Sequence, residues 1–287
     1  MATKTSLLGL TKPAYTDAAD IAVLNGNFDL IDKAVGQGAR VGNLLDNSYF
    51  PSAYVINQRG KTQYTGNVYT IDRWRTYSST AVINVGAAGI NPQASALLQY
   101  LDIDPGRTYT AAICYADGTV SVQTGTFTTG FGSTSSGINC SVSNGYCRFL
   151  IRESAAYIRW AALYEGAYTA DTLPAYAYKG YAAELAECMR YYQKRDYVIT
   201  VSQAANDTVV SGFDFMIPMR DAPTVTIHDG EGTANAMSIW TNAGMTNGVA
   251  VSQIARVTKW GVGYMTIETP PASYGRVLYL YEASADL

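Results

Sequence analysis

"RTYTAAICYADGTVSVQTGTF", residues 107–127, decides the fold. Tyr109, Ala111, Ile113 and Tyr115 recur every second residue, Asp117-Gly118 supplies a turn, and Val120 and Val122 resume the alternation. Period two belongs to a half-buried strand, so this stretch predicts a β-hairpin. The same reading extends outward to "GYCRFLIRES" (145–154) and "AAYIRWAALYEG" (155–166). Turn residues punctuate residues 43–175 about every eight to twelve positions, the rhythm of a β-sandwich or jelly roll. Val, Phe and Ile at strand spacing favour ordered hairpins over a linker in 119–147, with "TTGFGSTSSG" (128–137) expected as a mobile loop.

Composition agrees. Charged residues make up 15% of the 287-residue chain, against 23 Tyr, 26 Gly and one His. Tyr, Thr, Val and Gly with few charges favour strands joined by tight turns, and Tyr suits contact surfaces. A net charge of −3 without any basic stripe gives no reason to expect a nucleic-acid partner. The start lacks a secretory apolar core. The least charged stretch, 76–101, is broken by Gly, Pro, Ser and Asn, so no membrane insertion is expected. Cys114, Cys140, Cys147 and Cys188 follow no zinc spacing. An Asn144-Gly145 turn would pair Cys140 with Phe149 and Val142 with Cys147, setting the sulfurs out of register. Four buried thiols in a chain made in a reducing cytoplasm are expected.

Two helical segments interrupt the strands. In "IAVLNGNFDLIDKAV" (21–35), Ile21, Leu24, Phe28, Ile31 and Val35 form a two-heptad apolar seam. Asp17 is expected to cap it with Asp20 in the first turn, and Gly36 and Gly38 to end it. Isolated helices this short are marginal in water, and Gly26 costs about 1 kcal/mol relative to Ala. "YAYKGYAAELAECMRYYQKR" (176–195) carries a second seam at Tyr181, Leu185, Cys188 and Tyr192. The expected plan is therefore mainly β. It comprises an N-terminal coiled-coil-like helix (1–42), a β-sandwich (43–175), a connector helix (176–196) and a C-terminal β domain (197–287). In that last domain "DYVITVSQ", "VVSGFDFMIPM", "APTVTIHDG", "KWGVGYMTIETP" and "RVLYLYEA" read as strands, and "GEGTANAMSIWTNAGMTNG" (230–248) as loops.

Several segments resemble phage and prophage tail-fibre proteins. "NLLDNSYF" (43–50), "VINQRG" (55–60) and "YTIDRW" (69–74) are similar to the opening of their jelly-roll modules. "ALYEGAYTADTLPAYAYKGYAAELAECMRYYQKR" (162–195) resembles the closing strand, Pro-containing loop and short helix that precede a C-terminal β domain. "FDFMIPMRDAPTVTI" (213–227) is similar to that domain's opening, and "LTKPAYTDAADIAVLNGNFDLIDKAV" (10–35) to an attachment end. The resemblance implies a receptor-binding protein of the virion tail, a homotrimer that recognises bacterial surface polysaccharide and joins other tail or baseplate proteins. "FGSTSSGINC" (131–140) departs from the pattern, so ligand identity does not carry over. A trimer also answers the short seam, since Ile at both kinds of core position leans toward three strands. A helix docked on its own chain's sheet remains the competing reading, above all for the second seam.

Candidate chemistry is thin. His228, Asp229 and Glu231 are explained by a strand running into a polar turn. Asp102 and Asp104 alternate on one strand face, Asp104 beginning the Pro105-Gly106 turn, and are read as solvated, and Asp72 and Arg73 as a structural pair. No Gly-x-Ser-x-Gly elbow, zinc-type His pair or phosphate loop occurs, so neither enzyme activity nor a metal or cofactor is expected. Sugars stack on aromatic rings while amides and carboxylates bond their hydroxyls. Trp240 with Asn235, Asn242 and Asn247 is therefore the first candidate site, and Tyr64 with Tyr69 a second. Trp74 and Trp160 lie in strand patterns and are assigned to the core. A tail-associated glycan depolymerase and a structural connector of a tail or injection device are the rival functions.

Overall fold

The structure, a computed structural model, describes residues 3–5, 10–14, 20–38, 42–80, 82–93, 96–153, 156–203, 208–268 and 273–286. Strands β1 (Thr3–Lys4) and β2 (Thr11–Lys12) form a small hairpin ahead of helix α1 (Ile21–Gly38). The Asp20 carboxylate accepts the Ala22 amide at 2.8 Å at the start of this helix. Asp17 lies outside the described residues. Asn27 reaches from mid-helix to both backbone groups of Thr11, 2.8 Å each, and so ties the hairpin to α1. Ile21, Leu24, Phe28 and Ile31 are all exposed; the Val35 side chain lies outside what is described.

Eleven strands build a two-sheet sandwich. In chain order they are β3 (Gln63–Thr65), β4 (Arg75–Thr76), β5 (Val82–Gly86), β6 (Gly89–Gln93), β7 (Ala96–Leu101), β8 (Thr108–Tyr115), β9 (Val120–Thr126), β10 (Phe131–Gly132), β11 (Gly137–Ser143), β12 (Tyr146–Arg152) and β13 (Ile158–Glu165). One sheet runs β10-β11-β12-β7-β4 and the other β3-β5-β6-β13-β8-β9. Between them Trp74, fully buried, meets Phe50 and Phe149 edge-on. The hairpin expected at 107–127 is β8–β9, closed by a three-residue turn in which Gly118 takes φ 91°. Asn144 and Gly145 both take positive φ, and the register pairs Cys140 with Phe149 and Val142 with Cys147. All four cysteines are buried and free. The segment expected to be mobile instead contains β10, where Phe131 packs edge-on against Phe127, followed by a turn that Ser133 organises.

Helix α2 spans only Tyr181–Met189, and the next strand starts at once with β14 (Tyr192–Gln203). The expected connector helix over 176–196 is therefore too long. Its second seam is not one helical row: Tyr181 is exposed, Leu185 half-buried, Cys188 buried in the chain's own interior, and Tyr192 lies on a strand, buried. Pairing of β14 with β20 through ten partnered residues overrides the helix-compatible composition of 192–195. Beyond β14 come β15 (Val209–Asp214), β16 (Thr224–His228), β17 (Ala236–Thr241), β18 (Gly244–Thr258), β19 (Gly261–Ile267) and β20 (Tyr274–Ser284). β20 is central, with β14 on one edge and β16 and β17 sharing the other. The first half of β18 pairs β17 and its second half β19, so the sheet folds over a second core in which Phe213 stacks on Tyr281 at 4.3 Å. The stretch 230–248, expected as loops, is mostly the β17–β18 hairpin.

A polar joint locks these two β regions together. Arg59 bonds Asp72 at 3.1 Å and Asp286 at 2.8 Å, and its guanidinium lies 3.8 Å from the centre of the Tyr192 ring. Gln58 bridges Asp72 to the Tyr192 carbonyl. Alongside, Arg73 bonds Asp46 at 2.9 Å and lies 3.4 Å from the centre of the Tyr191 ring, while the Asn47 amide donates to Glu184 of α2 at 2.7 Å. Asp72 and Arg73 thus do not pair with each other; each takes a partner from elsewhere in the chain.

Burial pushes the Asp72 carboxyl from 3.8 up to about 7, against the opposing pull of Arg59 and the Gln58 hydrogen bonds. The folded chain then holds a proton that the unfolded chain releases near pH 4, so stability falls as pH rises through that window. Compared with Asp72→Asn, the wild type should lose melting temperature between about pH 4 and pH 7 and run parallel above pH 8. Calorimetric scans across that range test this; parallel curves throughout would mean that Asp72 is ionised in the folded state.

Candidate functional site

Alternation along a strand sends successive side chains to opposite faces, and residues paired across strands share a face. On β20, Val277, Tyr279, Tyr281 and Ala283 enter the core. Arg276, Leu278, Leu280 and Glu282 therefore form the outer face. Their partners extend it: Thr200 and Trp240 beside Arg276, Val198 and Ser238 beside Leu278, Asp196 and His228 beside Leu280, Lys194 and Thr226 beside Glu282. Half-buried Leu278 and Leu280 floor a groove of about 610 Å³ that Asp196, Asp229, His228, Glu282 and Lys194 border. Trp240, half-buried, and Met245, its partner on β18 and exposed, continue the same face past Ser238.

The polar border is rigid. Asp229 accepts the amides of Glu231 (3.0 Å), Thr233 (2.8 Å) and Gly248 (2.8 Å). Desolvation works against its charge, yet these three donors hold its pKa below the usual value. Glu282 is desolvated too, but Lys194 at 2.8 Å and the nearby His228 keep its pKa lowered. The His228 Nδ1 is 3.4 Å from the Gly232 carbonyl, and its Nε2 is buried without a partner among the described residues. Asn247 accepts from Ser238 at 2.6 Å and donates to Glu231 at 2.8 Å, anchoring the groove's edge.

Of the first predicted site, the structure thus unites Trp240 and Asn247. Asn235 and Asn242 do not both join them: Asn242 is in the turn just beyond Trp240, and Asn235 is at the other end of the strand. Asn235, at φ 57°, precedes β17 and Asn242 follows it, which sets them about 23 Å apart along the strand. Their job is turn formation. The second predicted site fails as an open platform: Tyr64 is buried and its hydroxyl donates to Asn57, and Tyr69 is half-buried beneath Arg59 and Arg75. Burial raises the Tyr64 pKa and lifts Tyr69 to about 12, as suits phenols packed inside. Trp160 is half-buried, stacked on Tyr176 at 4.8 Å, and is a weaker core residue than expected. Asp104 accepts the Gly106 amide at 2.9 Å and forms the expected turn.

Sequence reading missed Lys194, Asp196, Leu278, Leu280 and Glu282. The signal was present in "RVLYLYEA", which is apolar at both parities and so needs cover or a ligand on each face. No protein-family model, no curated protein and no solved structure matches the chain. Among the described residues no cluster of His, Cys, Asp and Glu could hold a metal ion, and no helix is long and apolar enough to cross a membrane.

Two tryptophans separate packing from display. Trp74→Ala should cost about 3–5 kcal/mol, the range for emptying a core aromatic site. Trp240→Ala, on a face open to solvent, should cost less than half of that. Urea unfolding of both variants checks the contrast, and equal losses would place Trp240 in the core.

Proposed function

We propose that the chain is a non-enzymatic, homotrimeric receptor-binding protein of the phage tail-fibre kind, sited in the virion tail and made in the bacterial host cytoplasm. Its sandwich is of the jelly-roll type. The C-terminal sheet adheres to bacterial surface polysaccharide, and the N-terminal hairpin and helix align three copies and meet other tail or baseplate proteins.

The exposed seam of α1 is the observation that carries this reading. Ile21 is 69% exposed, Phe28 57% and Leu24 48%, on a helix whose hairpin partner leaves that edge open. Full burial of such side chains is worth about 1.5–3 kcal/mol each, enough to hold a short helix against identical copies. The outer sheet face supports the second half. It offers an indole and two leucines for the apolar faces of a sugar, with fixed carboxylates and an amide for its hydroxyls, as small-ligand sites do. Asp229 and Glu282 both sit at lowered pKa, whereas a glycosidic general acid needs a raised one. Three weak sites on one axis gain 10² to 10⁴-fold in avidity without new contacts.

Light scattering of the purified protein should give three times 30.9 kDa, and Leu24→Asp/Phe28→Asp should give a folded monomer. A wild-type monomer at high concentration would overturn the trimer. On immobilised host polysaccharide, Trp240→Ala should weaken retention at least tenfold. Equal retention would exclude this face, new reducing ends would favour a depolymerase, and assembly with a tail component without glycan binding would favour a connector.

A further inference from the structure

A second cleft, of about 380 Å³, opens between the sandwich and the C-terminal sheet. Ligand sites favour such boundaries. Tyr191 lines it, with the Arg73 guanidinium 3.4 Å and the Arg220 guanidinium 5.7 Å from the ring centre. Arg190 joins them because its carbonyl accepts the Arg220 amide at 2.7 Å, which sets the two residues side by side. The three arginines differ in what they already hold. Arg73 is buried and committed to Asp46 and the Tyr100 carbonyl. Among the described residues, neither the Arg190 nor the Arg220 side chain has a hydrogen bond or an ion pair. The cleft lining holds three arginines against two carboxylates, Asp46, which is taken by Arg73, and Asp102, so it carries one positive charge in excess, which one anion completes.

We infer that this cleft binds the carboxylate of an acidic sugar, with Arg190 and Arg220 as its clamp and Asp102 as acceptor for neighbouring hydroxyls. Asp102 is exposed, lines the same cleft, and its carboxylate has no hydrogen bond or ion pair among the described residues. It selects between anions. A phosphate concentrates its negative charge on a small ion that Asp102 repels, whereas a uronic or sialic acid brings one carboxylate for the arginines and separate hydroxyl donors for the aspartate. Arg–carboxylate pairing is often bidentate, which fixes the sugar's orientation. The apolar side chains of Leu101 and Ile103 line the cleft for the ring. This site is separate from the outer sheet face, and neither requires the other.

Calorimetric titration with glucuronate, galacturonate and N-acetylneuraminate, each beside its methyl ester, tests the assignment, with inorganic phosphate as a further probe. At least one free acid should bind the wild type, its ester at least tenfold more weakly, and phosphate more weakly still. Arg190→Gln/Arg220→Gln should lose tenfold or more for the acid, while Lys12→Gln/Lys61→Gln, which removes equal charge elsewhere, should not. Circular dichroism checks that both variants are folded. No binding by any of the three acids at millimolar concentration, equal binding of acid and ester, phosphate binding as tight as the best acid, or full retention by the arginine variant would each overturn the proposal. Because Trp240 lies outside this cleft, polysaccharide retention by the arginine variant distinguishes failure of this site from failure of the adhesion reading.

Discussion

Arg59 takes a positive charge to a point where two nearly waterless carboxylates meet, Asp72 from the sandwich and Asp286 from the end of the C-terminal sheet. Removing one partner of such a buried set leaves an uncompensated charge, which costs about 3–5 kcal/mol. The cost explains why so much else is arranged around it. Tyr192 covers the guanidinium, Gln58 satisfies the second oxygen of Asp72, and β14 begins directly after α2, which brings Tyr191 and Tyr192 to the joint together. Neither β region is a free bead on a string. The clamp also fixes the cleft beside it, since Arg73 and Tyr191 belong to both.

The sandwich was readable because its signals are local. Alternation in 107–127 and the Asn144-Gly145 pair set register through turn chemistry alone, and the pairing of Cys140 with Phe149 follows from them. The joint was not readable, because Asp46, Arg59, Asp72, Tyr192 and Asp286 are scattered across the chain and no spacing pattern ties one to another. What sequence offered as family-like stretches, "NLLDNSYF", "VINQRG", "YTIDRW" and "ECMRYYQKR", supplies most of the groups in this one knot. In this chain these stretches serve to join the two β regions. The helix reading of 192–195 failed for a related reason: long-range pairing with β20 outweighed local propensity.

The candidate site was half legible. Trp240 stood out by residue type, and its asparagine-rich neighbourhood suggested a loop, whereas the Gly and Asn residues serve tight turns at either end of a strand. Side chains on β20 that point away from the core could be placed only once its central position was known. That position turns an ordinary apolar run into the floor of a groove and brings Lys194, 88 positions away from Glu282 in sequence, into an ion pair with it.

Central placement of β20 also has a bearing on synthesis. A ribosome delivers β14, β16 and β17 well before residues 274–284 emerge, so these three strands must wait with open edges for the segment that unites them. Asp286 comes later still, and with it the last contact of Arg59. Closure of the distal half therefore waits for residues 274–286, and a chain cut before that segment is made carries a sandwich trailing unpaired, sticky ribbons.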